Sequence, residues 1–366
     1  MKIAILAGFV PTQVGGTEIA TCYLAQYLAK LGHQVHIITG DIPPTVSETE
    51  GIQIHKVRII RGKCLEFLSF LIACLTALRK IKPDIVHAQN IVRALPACVI
   101  KAILGKPYVV YGRGSDIYFL SSFNRLIYRI AVSRASMVIA QTEDMKRSLC
   151  KLYSKDIVVI PNGVEVSKFA ECPREGSRRQ LRIGETERVL LFAGRLEPIK
   201  GVKYLIEAMS LICQEDKVRL LIVGEGGERQ MLETLAARLK LTECISFQGQ
   251  VFHNIIPQYM AAADIFILPS LSEGFPVTSL EAMASGLPII ATKVRGMPEI
   301  IAEGENGFLV PPRNPEKLAE KILLLLNNSE LREKIARNNR EKARKYSWEN
   351  VAKKLEEVYT NIKIKC

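Results

Sequence analysis

The chain of 366 residues alternates short runs of continuous apolar residues with longer stretches in which apolar positions recur every three or four residues. The first pattern suits strands buried on both faces, and the second marks the buried stripe of a helix. In the first half the runs predict strands at 3–7, 35–38, 85–87, 108–111 and 137–140, with helices over about 17–31 and 65–80. The pattern then restarts, with strands at 189–193, 219–223, 245–247, 265–268, 288–291 and 308–310 and helices that include 202–212 and 229–239. Strands alternating with helices argue for parallel sheets covered on both faces, so the chain reads as two doubly wound α/β domains. Between them, 169–184 reads as a linker, because Cys172-Pro-Arg-Glu-Gly-Ser-Arg-Arg is polar and carries turn residues. A last helix, capped by Ser347 and running to 362, places Val351, Leu355, Val358 and Tyr359 on one face. It is predicted to cross back to the first domain. Ligands of open α/β sheets bind beyond the carboxyl ends of the strands, so a cleft between the domains is the expected site, with closure on a ligand hinged at the linker and the last helix.

Composition narrows the class. The longest apolar run, 64–78, is interrupted by Glu66 and falls short of the ~20 residues a membrane-spanning helix needs. The opening MKIAILAGFV followed by Pro11 reads as a buried strand entering a loop, with neither a basic leader nor a small-residue cleavage site, which argues against an export signal. Nine cysteines are scattered without a Cys-x-x-Cys pair, which fits a reduced, cytoplasmic compartment. The five histidines form no metal-ligand cluster and no Asp-x-Asp pair occurs, so no protein-built metal site and no cofactor are expected. The net charge of +13 is uneven: residues 1–180 hold 24 Lys and Arg against 13 Asp and Glu, whereas 181–366 hold 26 against 24. The basic half suggests an anionic membrane surface or an anionic acceptor as partner, or else a solvated basic face. Candidates for lipid contact are the apolar helix 65–78 followed by Arg79, Lys80 and Lys82, and the stretch 119–134 with Arg125, Arg129 and Arg134; core packing is the commoner fate of the first.

Three loops carry candidate chemistry. Glu273-Gly-Phe-Pro-Val-Thr-Ser-Leu-Glu281 follows a predicted strand and enters a helix over 279–284, closed by Gly286 and Pro288. Free N–H groups and the dipole at such a junction favour a phosphate, with Thr278 or Ser279 as caps. Glu281, in the first turn, suits two adjacent ribose hydroxyls, and Glu273 suits hydroxyls of a sugar. Gly194-Arg-Leu-Glu-Pro-Ile-Lys-Gly201 lies beyond the first strand of the second unit, where Arg195 and Lys200 are placed to meet a diphosphate and to stabilise charge on a leaving group. Exposed loop cations are the plainer alternative. In the first unit, Gly15 and Gly16 of Gln13-Val-Gly-Gly-Thr-Glu18 permit close approach to a sugar or phosphate. Neither that loop nor Val223-Gly-Glu-Gly-Gly-Glu228 has the spacing of a dinucleotide fingerprint, which disfavours a dehydrogenase.

These loops resemble those of glycosyltransferase family 4, retaining enzymes of the GT-B fold. The resemblance covers essentially the whole chain through Val14-Gly-Gly-Thr-Glu18, Pro83-Asp-Ile-Val-His87, Ile160-Pro-Asn-Gly163, the Gly194–Gly201 and Glu273–Glu281 segments, Glu281-Ala-Met-Ala-Ser-Gly286, Gly296-Met-Pro-Glu299 and Tyr346-Ser-Trp348. It implies two Rossmann-like domains facing across a cleft: an acceptor-side domain over 1–168 joined by the returning helix 346–366, and a nucleotide-sugar domain over 169–345. Arg195 and Lys200 would hold the donor diphosphate, Glu281 the ribose, and Glu273 the transferred sugar. Backbone amides of Phe275, Pro276, Val277 and Thr278 would line sugar and phosphate. The stretch Phe247-Gln-Gly-Gln-Val251 would meet the base, with Gly224 beside it. The implied reaction moves a sugar with retention from a nucleotide-diphosphate sugar to a glycan, lipid-linked or small-molecule acceptor, without metal.

The sequence departs from the family at Val110-Tyr-Gly-Arg-Gly-Ser-Asp116, where many members carry His in place of Arg113. Arg113 cannot accept a proton, so it reads as a binder of phosphate or carboxylate oriented by Asp116, or as a strand-end ion pair. His87 reads either as a substrate contact or as a neutral core histidine. Competing readings are a GT-B relative such as a nucleotide-sugar 2-epimerase, and a non-catalytic sugar-nucleotide binder. Nucleic acid is disfavoured, since no recognition module or aromatic platform is present.

Overall fold

The computed structural model describes residues 1–7, 16–40, 51–60, 63–118, 122–153, 156–213 and 218–365. They form two compact units, Met1–Gly163 with Trp348–Cys366, and Val164–Ser347.

The first unit holds a parallel sheet of seven strands: β1 Lys2–Leu6, β2 Gln34–Thr39, β3 Ile52–Lys56, β4 Ile85–Ala88, β5 Tyr108–Tyr111, β6 Met137–Ala140 and β7 Ile157–Val159. Their order is β3-β2-β1-β4-β5-β6-β7, so the winding reverses between β1 and β4. The central strands are buried on both faces, which is why they read as unbroken apolar runs. Two strands escape the sequence pattern. β3, with the sequence IQIHK, alternates at the sheet edge, and β7 has three residues. The helix Ile91–Leu104 is bounded by the Asn90 side chain, which accepts from the Arg93 N–H, and by Gly105 in the left-handed region.

The terminal helix Trp348–Lys365 belongs to this first unit and buries Trp348, Val351, Ala352, Leu355, Tyr359 and Ile362. Trp348 stacks on Tyr23 of the helix Gly16–Lys30, with ring centroids 6.0 Å apart. A Cβ on Gly163 would lie 2.5 Å from the Trp348 ring, which gives the glycine of Ile160-Pro-Asn-Gly163 a packing reason. Trp348→Ala is therefore expected to destabilise the protein by about 3–5 kcal/mol, read as a lowered denaturant midpoint.

The second unit holds six parallel strands: β8 Arg188–Ala193, β9 Val218–Val223, β10 Ile245–Gly249, β11 Ile265–Leu268, β12 Ile289–Thr292 and β13 Gly307–Val310. Their order is β10-β9-β8-β11-β12-β13, with the reversal between β8 and β11. The stretch expected as a linker is instead helical, with helices Val166–Ala170 and Arg174–Gln180. The second has no apolar stripe to betray it. It is fixed by Arg178, a buried side chain that donates to the carbonyls of Ala262, Gly184, Glu185 and Glu187 and pairs with Asp264. A guanidinium with that many acceptors compensates its own desolvation.

Candidate active site

In the second unit the chemistry-bearing loops leave β8, β9, β10 and β11 at their carboxyl ends, around the point where strand order reverses. Backbone hydrogen bonds lace them together. Leu196 N–H donates to the Glu225 carbonyl at 2.8 Å, Gly224 N–H to Gly249 at 2.8 Å, and Leu271 N–H to Ile199 at 2.7 Å. The close approaches require glycine. A Cβ on Gly224, whose φ is +139°, would lie 1.8 Å from the Gly194 carbonyl oxygen, and one on Gly201, at φ +62°, would lie 2.3 Å from that of Pro269. Gly224 thus sits beside the β10 loop, whose ladder shifts register between Phe247 and Gly249.

This lacing brings Lys200 to Glu273, with Nζ 2.7 Å from Oε1. The same oxygen accepts from the Ser270 hydroxyl at 2.6 Å, and the Thr292 hydroxyl donates to the Ser270 carbonyl. Both Ser270 and Glu273 are buried, so the carboxylate is held in place by a cation and a hydroxyl on one oxygen. Arg195 behaves differently. It is 54% exposed and its Nη1 pairs with Glu197 Oε1 at 2.6 Å.

The helix after Glu273 runs over Val277–Ser285, two residues earlier than the sequence suggests. Pro276 occupies its N-cap position without a side-chain hydrogen bond, so Thr278 and Ser279 lie inside the first turn and do not cap it. Proline's fixed φ makes it a suitable entry residue, and the hydroxyls that resemble caps are displaced inward by that entry. Pro276 itself has no N–H to offer, whereas the amides of Val277 and Thr278 are first-turn donors without an acceptor inside the helix. The Ser279 Oγ is buried with no hydrogen-bond partner among the described residues. Phe275 packs its ring against Tyr346, with centroids 5.7 Å apart, while Val251 packs against the core of this unit.

The same shift moves Glu281 out of the first turn into the second. Its carboxylate is 3% exposed, and Oε1 lies 2.7 Å from His253 Nε2. Sequence reasoning does not single out His253, since no local spacing links it to Glu281. The ring packs against Phe169 with centroids 6.3 Å apart. Nearby, burial lowers the pKa of Lys168, and the charges of Glu281 and then Glu165 oppose that shift.

In the first unit, Gly15 lies outside the described residues and Gly16 opens the helix Gly16–Lys30. His87, at the end of β4, is fully buried, and its Nδ1 hydrogen-bonds the Tyr359 hydroxyl at 2.6 Å. Burial, followed by the nearby Arg113 charge, pushes its pKa down to about 3, so the imidazole is neutral at physiological pH. Arg113, just beyond β5, donates from Nη1 to Asn162 Oδ1 at 2.5 Å, and its guanidinium lies 4.0 Å from the Tyr111 ring centroid. Asn162 belongs to Ile160-Pro-Asn-Gly163 and is buried, so that motif supports Arg113 with one residue and Trp348 with the next. The Asp116 side chain lies outside the described residues.

Comparison with known proteins gives the family and the fold. Glycosyl transferases group 1 matches residues 173–342, and Glycosyltransferase Family 4 matches 14–168. An uncharacterized glycosyltransferase of Methanocaldococcus jannaschii is 30% identical, covering 98% of this chain and 98% of the relative. The N-acetyl-alpha-D-glucosaminyl L-malate synthase of Bacillus anthracis is 26% identical over 99% of this chain and 98% of its own. Among solved structures, sucrose-phosphate synthase from Thermosynechococcus elongatus superposes with a TM-score of 0.90 at 23% identity, covering 100% of both chains. Anabaena HepE in complex with UDP-glucose gives 0.85 at 23% identity, covering 99% of this chain and 100% of the other. The sequence matches and the shared two-domain parallel-sheet plan identify the chain as a group 1, family 4 glycosyltransferase of GT-B fold, an enzyme of the hexosyltransferase type (EC 2.4).

Proposed function

We propose that the enzyme transfers a hexose from a nucleoside-diphosphate sugar with retention of configuration, using protein cations in place of a metal. The observation that carries this reading is the ion pair of partly buried Lys200 with buried Glu273, which lies on the loop leading into the helix Val277–Ser285 that carries Glu281. Glu281 suits the ribose hydroxyls and Glu273 the hydroxyls of the sugar, because ionised carboxylates accept strong hydrogen bonds. Lys200 has three N–H donors, so it can keep Glu273 and still reach a phosphate oxygen. Arg195 is exposed and its pair with Glu197 is weak, so exchanging that partner for a diphosphate costs little.

In the proposed step the bond from the anomeric carbon to the β-phosphate oxygen breaks, and an acceptor oxygen bonds to the same face of that carbon. The acceptor proton passes to the departing phosphate oxygen. Arg195, Lys200 and the helix N-terminus stabilise the charge left on the diphosphate. The relative bound to UDP-glucose supports a nucleotide-sugar donor. Nucleoside diphosphates and their sugars, screened in the presence of EDTA, are expected to raise the melting temperature by about 5 °C or more for the cognate base. A shift that appears only when a divalent cation is added would overturn the metal-free part.

The acceptor is proposed to carry a carboxylate or phosphate read by Arg113, whose guanidinium Asn162 and Tyr111 hold at the strand end. An anionic membrane at the cytoplasmic face is the proposed setting. The helix Lys63–Ile81 buries Phe70, Cys74 and Leu78 but exposes Leu65, Leu68 and Ile72, and exposed Arg79 and Lys80 follow. In the other candidate stretch, residues 119–121 and the Arg125 side chain lie outside the described residues. No helix is long and apolar enough to cross a membrane among the described residues. An exposed apolar stripe next to cations fits an interface rather than a span. Sedimentation with phosphatidylglycerol vesicles is expected at low salt and to be weakened by Leu68→Asp combined with Ile72→Asp. Equal sedimentation of that variant, or none of the wild type, would exclude this surface.

A further inference from the structure

Glu281 is the more deeply buried of the two site carboxylates, and among the described residues one side chain hydrogen-bonds its carboxylate. Oε1 lies 2.7 Å from His253 Nε2, and among the described residues no hydrogen bond reaches Oε2. A carboxylate has no proton to give, so Nε2 carries the hydrogen and the tautomer is set by the pair. His253 lies on the loop between β10 and the helix Ile256–Ala262, two residues beyond Val251, and Phe169 packs on its ring. The ring is thus both packed against Phe169 and bonded to Glu281. The side chain that holds Glu281 comes from the same loop that carries the expected base contact.

We infer that His253 is a positioning residue: it fixes Glu281 through Oε1 so that Oε2 faces the two ribose hydroxyls, coupling the base-side loop to recognition of the ribose. This role rests on the donor-site reading above. It differs from a packing role in what it affects. A packing role would weaken all ligands together, whereas loss of orientation removes only the part of affinity that the hydroxyls supply.

The test measures binding of whichever of UDP, GDP, ADP and CDP stabilises the wild type most, alongside its 2′,3′-dideoxy counterpart. Hydrogen bonds to a charged group predict that the wild type prefers the ribose form by about tenfold or more. His253→Phe and His253→Leu are expected to bind the ribose form about tenfold more weakly and the dideoxy form within about twofold of wild type, collapsing the preference. Donor KM should rise by a similar factor with kcat little changed. His253→Gln, whose amide can donate at the same place, should keep most of the preference. An undiminished preference in folded His253→Leu, or an equal loss for both ligands, overturns the inference. Glu281→Gln separates the two levels. If it loses the preference while His253→Leu keeps it, the donor site stands and the His253 role falls. If it keeps the preference, or if no nucleoside diphosphate binds the wild type, the donor-site reading falls with it.

Discussion

Arg195→Ala is expected to lower kcat by about a hundredfold to a thousandfold while leaving stability within about 1 kcal/mol of wild type. The two halves of that expectation have separate origins. The exposed ion pair of Arg195 with Glu197 is screened by water and contributes little to folding. In the proposed step, new negative charge develops on the oxygens of the departing diphosphate, and a planar guanidinium would stabilise it with paired N–H donors. Arg195→Lys should recover only part of the rate, since a point charge does not replace that fork. Steady-state kinetics with thermal melts of the same samples checks both halves. A normal kcat in a folded Arg195→Ala protein would remove this residue from the site.

Lys200→Ala is expected to be as damaging to turnover and, unlike the first variant, to reduce stability by about 3 kcal/mol, because it leaves Glu273 buried without its cation. A double variant separates the effects. Lys200→Met with Glu273→Gln replaces the pair by neutral groups of similar size and should recover most of the stability, because the Ser270 hydroxyl can still donate to the amide oxygen of the new side chain. The rate should not recover. Urea unfolding and turnover, measured on both single variants and the double, form the required cycle. Recovery of activity together with stability would mean that the pair is structural.

Local pattern reveals the architecture because central parallel strands must be apolar on both faces, which makes runs such as 189–193 and 265–268 unmistakable. It fails where burial is partial or where fixation comes from far along the chain. The edge strand Ile52–Lys56 is half exposed, and the helix Arg174–Gln180 is held by Arg178 reaching carbonyls as distant as Ala262. The site follows the same division. Lys200, Glu273 and Glu281 stand out as candidates in the sequence because they lie on or just beyond loop-to-helix junctions. Their actual partners are not. Lys200 meets Glu273 across 73 positions, Glu281 meets His253 across 28, and Arg113 meets Asn162 across 49. Such contacts are set by which strand ends the sheet brings together. Thr278 and Ser279 show the opposite error: they resemble helix caps by type, but entry through Pro276 starts the helix ahead of them.

If protein cations alone hold and release the diphosphate, the chemistry must proceed without a metal. The most direct measurement is release of nucleoside diphosphate from a panel of nucleoside-diphosphate sugars in the presence of EDTA, with simple sugars, hydroxy acids and polyol phosphates as acceptors and the anomeric configuration of the product read by NMR. The expected result is release from at least one donor, a product whose anomeric configuration matches that donor, and loss of release in Arg195→Ala and Lys200→Ala. Release that requires a divalent cation, or a product of inverted configuration, would contradict it.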